Sequence, residues 1–407
     1  MVFGNGLLSD VVVLDLSRVL AGPYGTQLLA DMGARVIKIE PPGGDSTRTS
    51  PPHYVGDTSA YFLGINRGKE SVVLDLKEPR GRDLLLRLAA KSDVVIENFR
   101  PGVMERLGIG FDELTRVNPR IVLCSISGFG QDGPYRDRPA YDVTVQAISG
   151  GMSLTGEEGG RPVLSGIAVG DVGSGMFAAI GALAGLNKAR SSGRGMHVDV
   201  SMLDGQVSML AYQAVFYLSS GEVPGPRGTG HPSFPVAQSF TCLDGRDVHV
   251  SAIAEQMWPK LCSAIDREDL LSDPRFATMR DRRANKADLL GLLAEVFKSR
   301  PSGSWLELLN AHGVPTAPVN TLDQVMVDPQ VQHRQMVVDL DYDGRPFQAI
   351  GNPIKVVGQA QTYTSPPRLG QDTAAVLQEL LELSPAQIAD LADASVIGLE
   401  QEASRIG

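Results

Sequence analysis

Cysteine is scarce in this chain: Cys124, Cys242 and Cys262 are the only three in 407 residues, scattered and without a CxxC pair. An odd, unpaired set excludes a disulfide framework and reads as reduced thiols in a cytoplasmic protein. Histidine is sparse as well. His53, His197, His231, His249, His312 and His333 show no HxxxH-type spacing, so no metal site is expected. Positive charge is in deficit, 37 Lys plus Arg against 47 Asp plus Glu for a net of −10. That balance argues against nucleic acid or a membrane surface as partner, since both attract a positive field. A few local basic residues can still hold an anionic ligand. Long apolar runs are also missing: Met176 to Leu186 is too short to span a bilayer. The first ten residues have neither the basic start nor the apolar stretch of a targeting peptide, so none is expected.

What is present suffices for a large core, with 43% hydrophobic residues over a length that suggests two or three domains. VVVLDL (Val11 to Leu16) has the composition of a strand buried on both faces. After a loop, SRVLAGPYG, the run TQLLADMG reads as a helix and RVIKIE (Arg35 to Glu40) as a second strand, a βαβ unit of a parallel sheet. The pattern repeats in SVVLDL (Ser71 to Leu76), a helix over 78–92, and the strands DVVIENF (Asp93 to Phe99), RIVLCSIS (Arg120 to Ser127) and HVDVSM (His197 to Met202). A long helix then extends to about Leu218. From residue 219 the texture changes to a Gly- and Pro-rich stretch, followed by a hairpin turning at Asp244-Gly245 and helices near 255–265 and 285–299. A second hairpin turns at Asp343-Gly344, and Ser384-Pro385 supplies N-cap and N1 of a last helix. The expected division is a large α/β domain over 1–220, a smaller α+β domain over 221–327, and a segment, 328–407, returning to the large domain.

GFGQDG (Gly128 to Gly133) follows a predicted strand and matches GxGxxG. A dinucleotide site needs its third glycine to open a helix facing the pyrophosphate, but Pro134 and Pro139 follow instead. The Rossmann-like pattern is therefore architecture, not evidence of nicotinamide or flavin.

LSGIAVGDVGSGMFAAIGALAGL (Leu164 to Leu186) holds a single charge, Asp171, at the start of a small-residue helix. From its position Asp171 reads as an N-cap. The helix dipole and free N–H groups would also keep its carboxylate ionised, as a covalent acyl acceptor must be. Gly170, Gly173 and Gly175 would leave room for a substrate, and neighbouring N–H groups for an oxyanion. No GxSxG elbow and no GxxxxGK[ST] phosphate loop competes with it.

Seven ordered blocks now carry a resemblance over nearly the whole chain: VLDLSRVLAGPYGTQLLADMGARVIKIEPPGGD, NRGKESVVLDLK, IENFRPGVMERLG, AYDVTVQAISGGM, GDVGSGMFAAIGALAGL, GRGMHVDVSMLDG and GTGHPSFPVAQSFTCLDG. Together they resemble the family III coenzyme A transferases. The resemblance implies that Asp171 attacks an acyl-CoA thioester to form an aspartyl-CoA mixed anhydride, with no metal and no permanently bound cofactor. Acyl-CoA and a free carboxylic acid would be the substrates. It further implies CoA contacts at Arg18, Val19 and Leu20, from Leu74 to Lys77, at Asn98, Phe99 and Arg100, at Arg106, and at Tyr141 and Asp142. Arginine suits phosphate by its fixed charge and bidentate geometry. An interlocked homodimer is implied as well. A second carboxylate on the acceptor would want a cation, for which Arg48, Arg67 and Arg227 are candidates. The segment Gly225 to Pro235 falls where the family has a glycine-rich loop, but it lacks consecutive glycines, and a plain linker is the other reading.

The same family includes α-methylacyl-CoA racemases, which pair the Asp with a His. Tyr141 stands at the position of that His, and a Tyr of ordinary pKa is poorly matched to the work. His53 and His231 remain candidates to approach in space. The expected activity is therefore CoA transfer, with racemisation as the alternative and a non-enzymatic acyl-CoA-binding role behind both.

Overall fold

The computed structural model describes residues 6–400 and divides into two compact units. One is formed by residues through 151, by 164–221 and by 333 onward, the other by 152–163 and 222–332.

The larger unit is built on a seven-stranded sheet. Its parallel strands are β1 (Val12–Asp15), β2 (Arg35–Glu40), β3 (Lys69–Leu74), β4 (Val94–Glu97), β5 (Val122–Ser127) and β6 (Met196–Ser201). They lie in the order β3-β2-β1-β4-β5-β6, and the short strand Ile397–Gly398 adds antiparallel to the outer edge of β3. Val13 sits opposite Val36 on one side and Val94 on the other. Successive side chains point to opposite faces, so each β-branched run feeds two cores at once. Leu14, Ile37, Val72 and Val95 pack on one face with Leu84, Leu85 and Leu88 of the helix Pro79–Ala89 and with the C-terminal helices Thr373–Leu381 and Pro385–Asp393. Val13, Val36, Ile96, Val122 and Cys124 pack on the other face, beneath two helices.

Those two helices are α1 (Ala21–Asp31) and, after α2 (Pro79–Ala89) and α3 (Asp142–Ile148), the long α4 (Val169–Ser192). In length and composition α4 is apolar enough to cross a membrane, yet half of its most apolar stretch is buried within the protein. Its small residues explain the fit. A Cβ on Gly185 would lie 2.8 Å from Val122 Cγ1, and one on Gly175 would lie 2.4 Å from the Ala21 carbonyl oxygen. Gly25 of α1 meets the Gly175 backbone in the same way, so α1 and α4 cross backbone to backbone.

Several elements depart from the sequence expectation. α1 starts at Ala21, because Pro23 is tolerated in a first turn and Gly25 is needed at the crossing. β3 runs from Lys69 to Leu74, two residues earlier than expected at each end. The helix after β6 is two, α5 (Met202–Met209) and α6 (Ala211–Ser220), broken where Ala211 adopts φ 45°. The last helix keeps the expected Ser384 cap, reinforced by Gln387.

In the smaller unit, a three-stranded antiparallel sheet of Ala237–Thr241, Asp247–Ser251 and Thr316–Pro318 packs on helices including Met257–Ala264, Lys286–Phe297 and Ser302–Ala311. Phe240 stacks on Phe297 with ring centroids 4.6 Å apart. Gly245 turns the hairpin at φ 74°. The segment Gly225 to Pro235 belongs to this unit and has no helix or strand; its Gly228 N–H donates to the Gly156 carbonyl. All three cysteines are buried and free.

Candidate functional site

In a sheet of order 3-2-1-4-5-6 the chain leaves β1 and β4 in opposite directions. A crevice opens between them at the carboxyl ends. The loops that follow these two strands are clipped together. Arg18 N–H donates to Asn98 Oδ1 (2.8 Å), and Asn98 Nδ2 donates back to the Arg18 carbonyl (2.7 Å). Arg18 also lays its guanidinium over the Phe99 ring, 5.3 Å from the centroid. Within this clip Val19 is held at φ 67°, a left-handed conformation that a β-branched residue adopts only under constraint. Beneath it, Glu97 accepts the Phe99 N–H (2.7 Å) and shapes the turn leaving β4. Burial pushes the Glu97 carboxyl up to about 7, against the hydrogen bonds from Ser125 and Phe99.

The crevice holds a cavity of about 200 Å³. Six of the residues singled out from the sequence line it together: Val19, Asn98, Phe99, Arg100, Tyr141 and Asp171. The remaining candidates stand elsewhere. Arg18 is the clip beside the cavity. Leu20 caps the start of α1. Leu74 is buried in the core at the end of β3, so only its backbone is available there. Lys77 and Arg106 are exposed, with Arg106 lying near Gly102. Asp142 is buried and does not line the cavity.

Asp171 is not the cap of α4. The helix begins at Val169, which places Asp171 at N3, and the capping carboxylate comes from 28 and 29 residues back. Asp142 Oδ1 accepts the N–H groups of Gly170 (2.7 Å) and Asp171 (3.3 Å), while Oδ2 accepts from Gln146 Nε2 (2.7 Å). Two further expectations change with this. The glycines are filled by the protein and leave no room for substrate: a Cβ on Gly170 would meet Gln206 and Asp142, one on Gly173 would meet Met209, and one on Gly175 would meet α1. The first N–H groups are likewise engaged by Asp142, so they are not free donors for an oxyanion. Nor does the helix hold Asp171 low. Burial first, then the neighbouring Asp142, raises its carboxyl from the ordinary range to about 6.

The arginines Arg136 and Arg138 also line the cavity, and sequence reasoning passed over them. They lie in PYRDRP, a stretch noticed only because its prolines forbid a helix; no helix starts there before Asp142. Arg138 stacks on Tyr135 (3.7 Å), and Arg136 approaches Gly102 alongside Arg106. With Arg100 they make a cationic rim in a chain of net negative charge. Tyr61, also missed, senses Asp171. Burial, then Asp171, Asp45 and Asp142, pushes its phenol up to about 12, so it stays a hydrogen-bond donor at neutral pH. Arg48 and Arg67 are not available to a substrate: Arg48 is buried against Glu40 (2.7 Å) and Arg67 against Asp31 (2.6 Å). Arg227 is exposed in the smaller unit. No histidine lines the cavity.

The arrangement offers a half-buried carboxylate of raised basicity at one wall and fixed positive charge at the rim. Such a pair suits nucleophilic attack on an activated acyl group carried by an anionic ligand.

Comparison with known proteins follows the same lines. The model of CoA-transferase family III matches residues 8–373. The chain is 37% identical to human succinyl-CoA:glutarate CoA-transferase, over 96% of its length and 90% of the relative. It is 39% identical to acetyl-CoA:oxalate CoA-transferase of Acetobacter aceti, over 92% and 96% respectively. Among solved structures, a CaiB/BaiF family protein from Brucella suis superposes with a TM-score of 0.81 at 37% identity, covering 91% of this chain and 98% of that one.

Proposed function

Since the chain belongs to CoA-transferase family III, we propose that it moves coenzyme A from an acyl-CoA to a short or dicarboxylic acid, with Asp171 as the nucleophile. The observation that carries this reading is the Asp171 carboxyl: half-buried, raised to about 6, without an ion pair among the described residues, and lining the cavity between the β1 and β4 loops. At pH 7 it is mostly ionised yet more basic than an ordinary carboxylate, which favours attack on the thioester carbon. The carbon–oxygen bond of a mixed anhydride forms, the carbon–sulfur bond breaks, and the electron pair leaves on the CoA thiolate. Acyl transfer between groups of similar energy would need no ATP to activate the acid. Arg100, Arg136 and Arg138 suit the phosphates of CoA, with Arg18 and Arg106 at the edge.

The relatives named above act on glutarate and oxalate, so a dicarboxylate is the leading acceptor class. With Arg48 and Arg67 engaged, the cavity-lining Arg100, Arg136 and Arg138 are donors suited to its second carboxylate. Racemisation is the weaker reading, because Tyr141 stands in the cavity wall where a second base would be needed. The assembly we favour is an interlocked homodimer. Exposed Val207, Val215, Phe216 and Leu218 on α5 and α6, and Met176 and Ile180 on α4, supply apolar surface for it.

The test is a matrix of acetyl-, succinyl- and formyl-CoA against oxalate, glutarate, succinate and formate, read by CoA-ester chromatography. Intact-mass trapping of the covalent adduct accompanies it. Asp171→Asn is expected to remove both the adduct and transfer, with a loss on the order of 10³-fold or more. Transfer that survives this change would falsify the covalent reading.

A further inference from the structure

Asp142 has a geometry that CoA binding does not explain. Its carboxylate is 8% exposed and lies under the N-terminus of α4, holding the N–H groups of Gly170 and of Asp171 itself. Gln146 fixes its other oxygen. A Cβ at Gly170 would stand 2.7 Å from Asp142 Oδ1 and 2.4 Å from Gln206 Nε2, so the close approach depends on glycine at that position. The groups that hydrogen-bond Asp142 are all neutral donors. Gln146 belongs to α3 itself, Gln206 comes from α5, and the phenol of Tyr61 senses both carboxylates while remaining protonated. Tyr141, Arg100, Arg136 and Arg138 share the cavity wall with Asp171, but among the described residues no cation forms an ion pair with either carboxylate. Elsewhere in this unit, buried carboxylates such as Asp15, Glu40 and Asp31 each meet a Lys or Arg.

We propose that Asp142 is a positioning residue acting through Asp171: it pins the nucleophile's backbone at N3 of α4, and its negative charge opposes the free Asp171 carboxylate so that acylation relieves the repulsion. The inference rests on Asp171 attacking the thioester. In that step one negative charge leaves the Asp171 oxygen, as its bond to the acyl carbon forms, and departs on the CoA sulfur. Charge thus moves away from Asp142, and the acylated state is favoured relative to the resting one. The raised Asp171 pKa agrees with this, Asp142 being its second cause after burial.

Asp142→Asn retains an oxygen to accept from Gly170 but removes the charge; Asp142→Ala removes both. The pH dependence of kcat/KM reports the free enzyme's essential groups. For Asp142→Asn its acid limb is expected to move down by about one pH unit. The trapped acyl-adduct fraction and kcat should fall by about tenfold, with KM for acyl-CoA little changed. Asp142→Ala should lose stability in addition, and the asparagine variant keeps the test alive if the alanine variant does not fold. An asparagine variant with the wild-type acid limb and adduct fraction overturns the proposal, even while Asp171→Asn remains inactive. If Asp171→Asn keeps transferring CoA and the wild type gives no adduct, the underlying mechanism fails and takes the proposal with it.

Discussion

At the carboxyl ends of β1 and β2, buried acids are matched by buried bases, one of them Lys69 at the start of β3. Asp15 meets Lys69 (2.9 Å), Asp45 meets Lys38 (3.0 Å) and Glu40 meets Arg48 (2.7 Å), with Thr26 and Ser71 donating further hydrogen bonds. Across the switch point, at the start of α4, Asp171 and Asp142 are neighbours, and among the described residues no cation pairs with either. The same side-chain chemistry is thus used in two ways. Where burial is opposed by Lys69 and Lys38, Asp15 is held down at about 2, and Arg48 and Lys38 do the same for Glu40. Where burial is joined by a like charge, Asp171 is pushed up to about 6. Matched charges hold the fold together; a carboxylate raised by a like charge is what the proposed chemistry needs.

The sharpest way to break this contrast is to unmatch one charge on the first side. Lys69→Met leaves the buried Asp15 without its ion-pair partner, and is expected to cost about 3–5 kcal/mol of stability by urea unfolding. A loss under about 1 kcal/mol would mean the pairs are ornamental. Acid separates the two sides next. Asp15 and Glu40 have folded pKa values below their unfolded ones, so the stability they contribute is present above about pH 4 and is lost as the pH falls toward 2. Asp171, the nucleophile we propose, takes up a proton as the pH falls through about 6. At pH 5 the protein should keep its far-UV circular dichroism while transfer drops by about tenfold. Coincident loss of both would erase the distinction. The smallest effect runs the other way. Asp171 is more costly to ionise when folded than unfolded, so Asp171→Asn should stabilise the protein by about 1 kcal/mol, seen as a higher melting temperature.

Much of the scaffold was legible because its signals are local. RVIKIE forms β2 over its full length, and Asp343-Gly344 turns its hairpin with both residues at positive φ. Ser384 announces its helix. Asp171 stands out in the sequence as a lone charge, but its setting was not legible there. The cap of α4 comes from Asp142, far outside any helical window, so the start of the helix was placed too late. Arg48 and Arg67 look like surface cations in sequence, and only the tertiary structure shows them spent on Glu40 and Asp31. The break at Ala211 has no Gly or Pro to mark it. Arg136 and Arg138 were visible, but a loop without periodicity gives no clue to which way its side chains face.

The crossing of α1 over α4 has a bearing on how this protein can change. Gly25 and Gly175 each stand where the other's backbone would receive any added methyl group. Neither position can take even alanine unless the two helices move apart, and the helix that moves carries Asp171 at its tip. One-step variation is therefore closed at both positions. A lineage seeking a wider acyl site would have to find its space in the loops, with this joint left untouched.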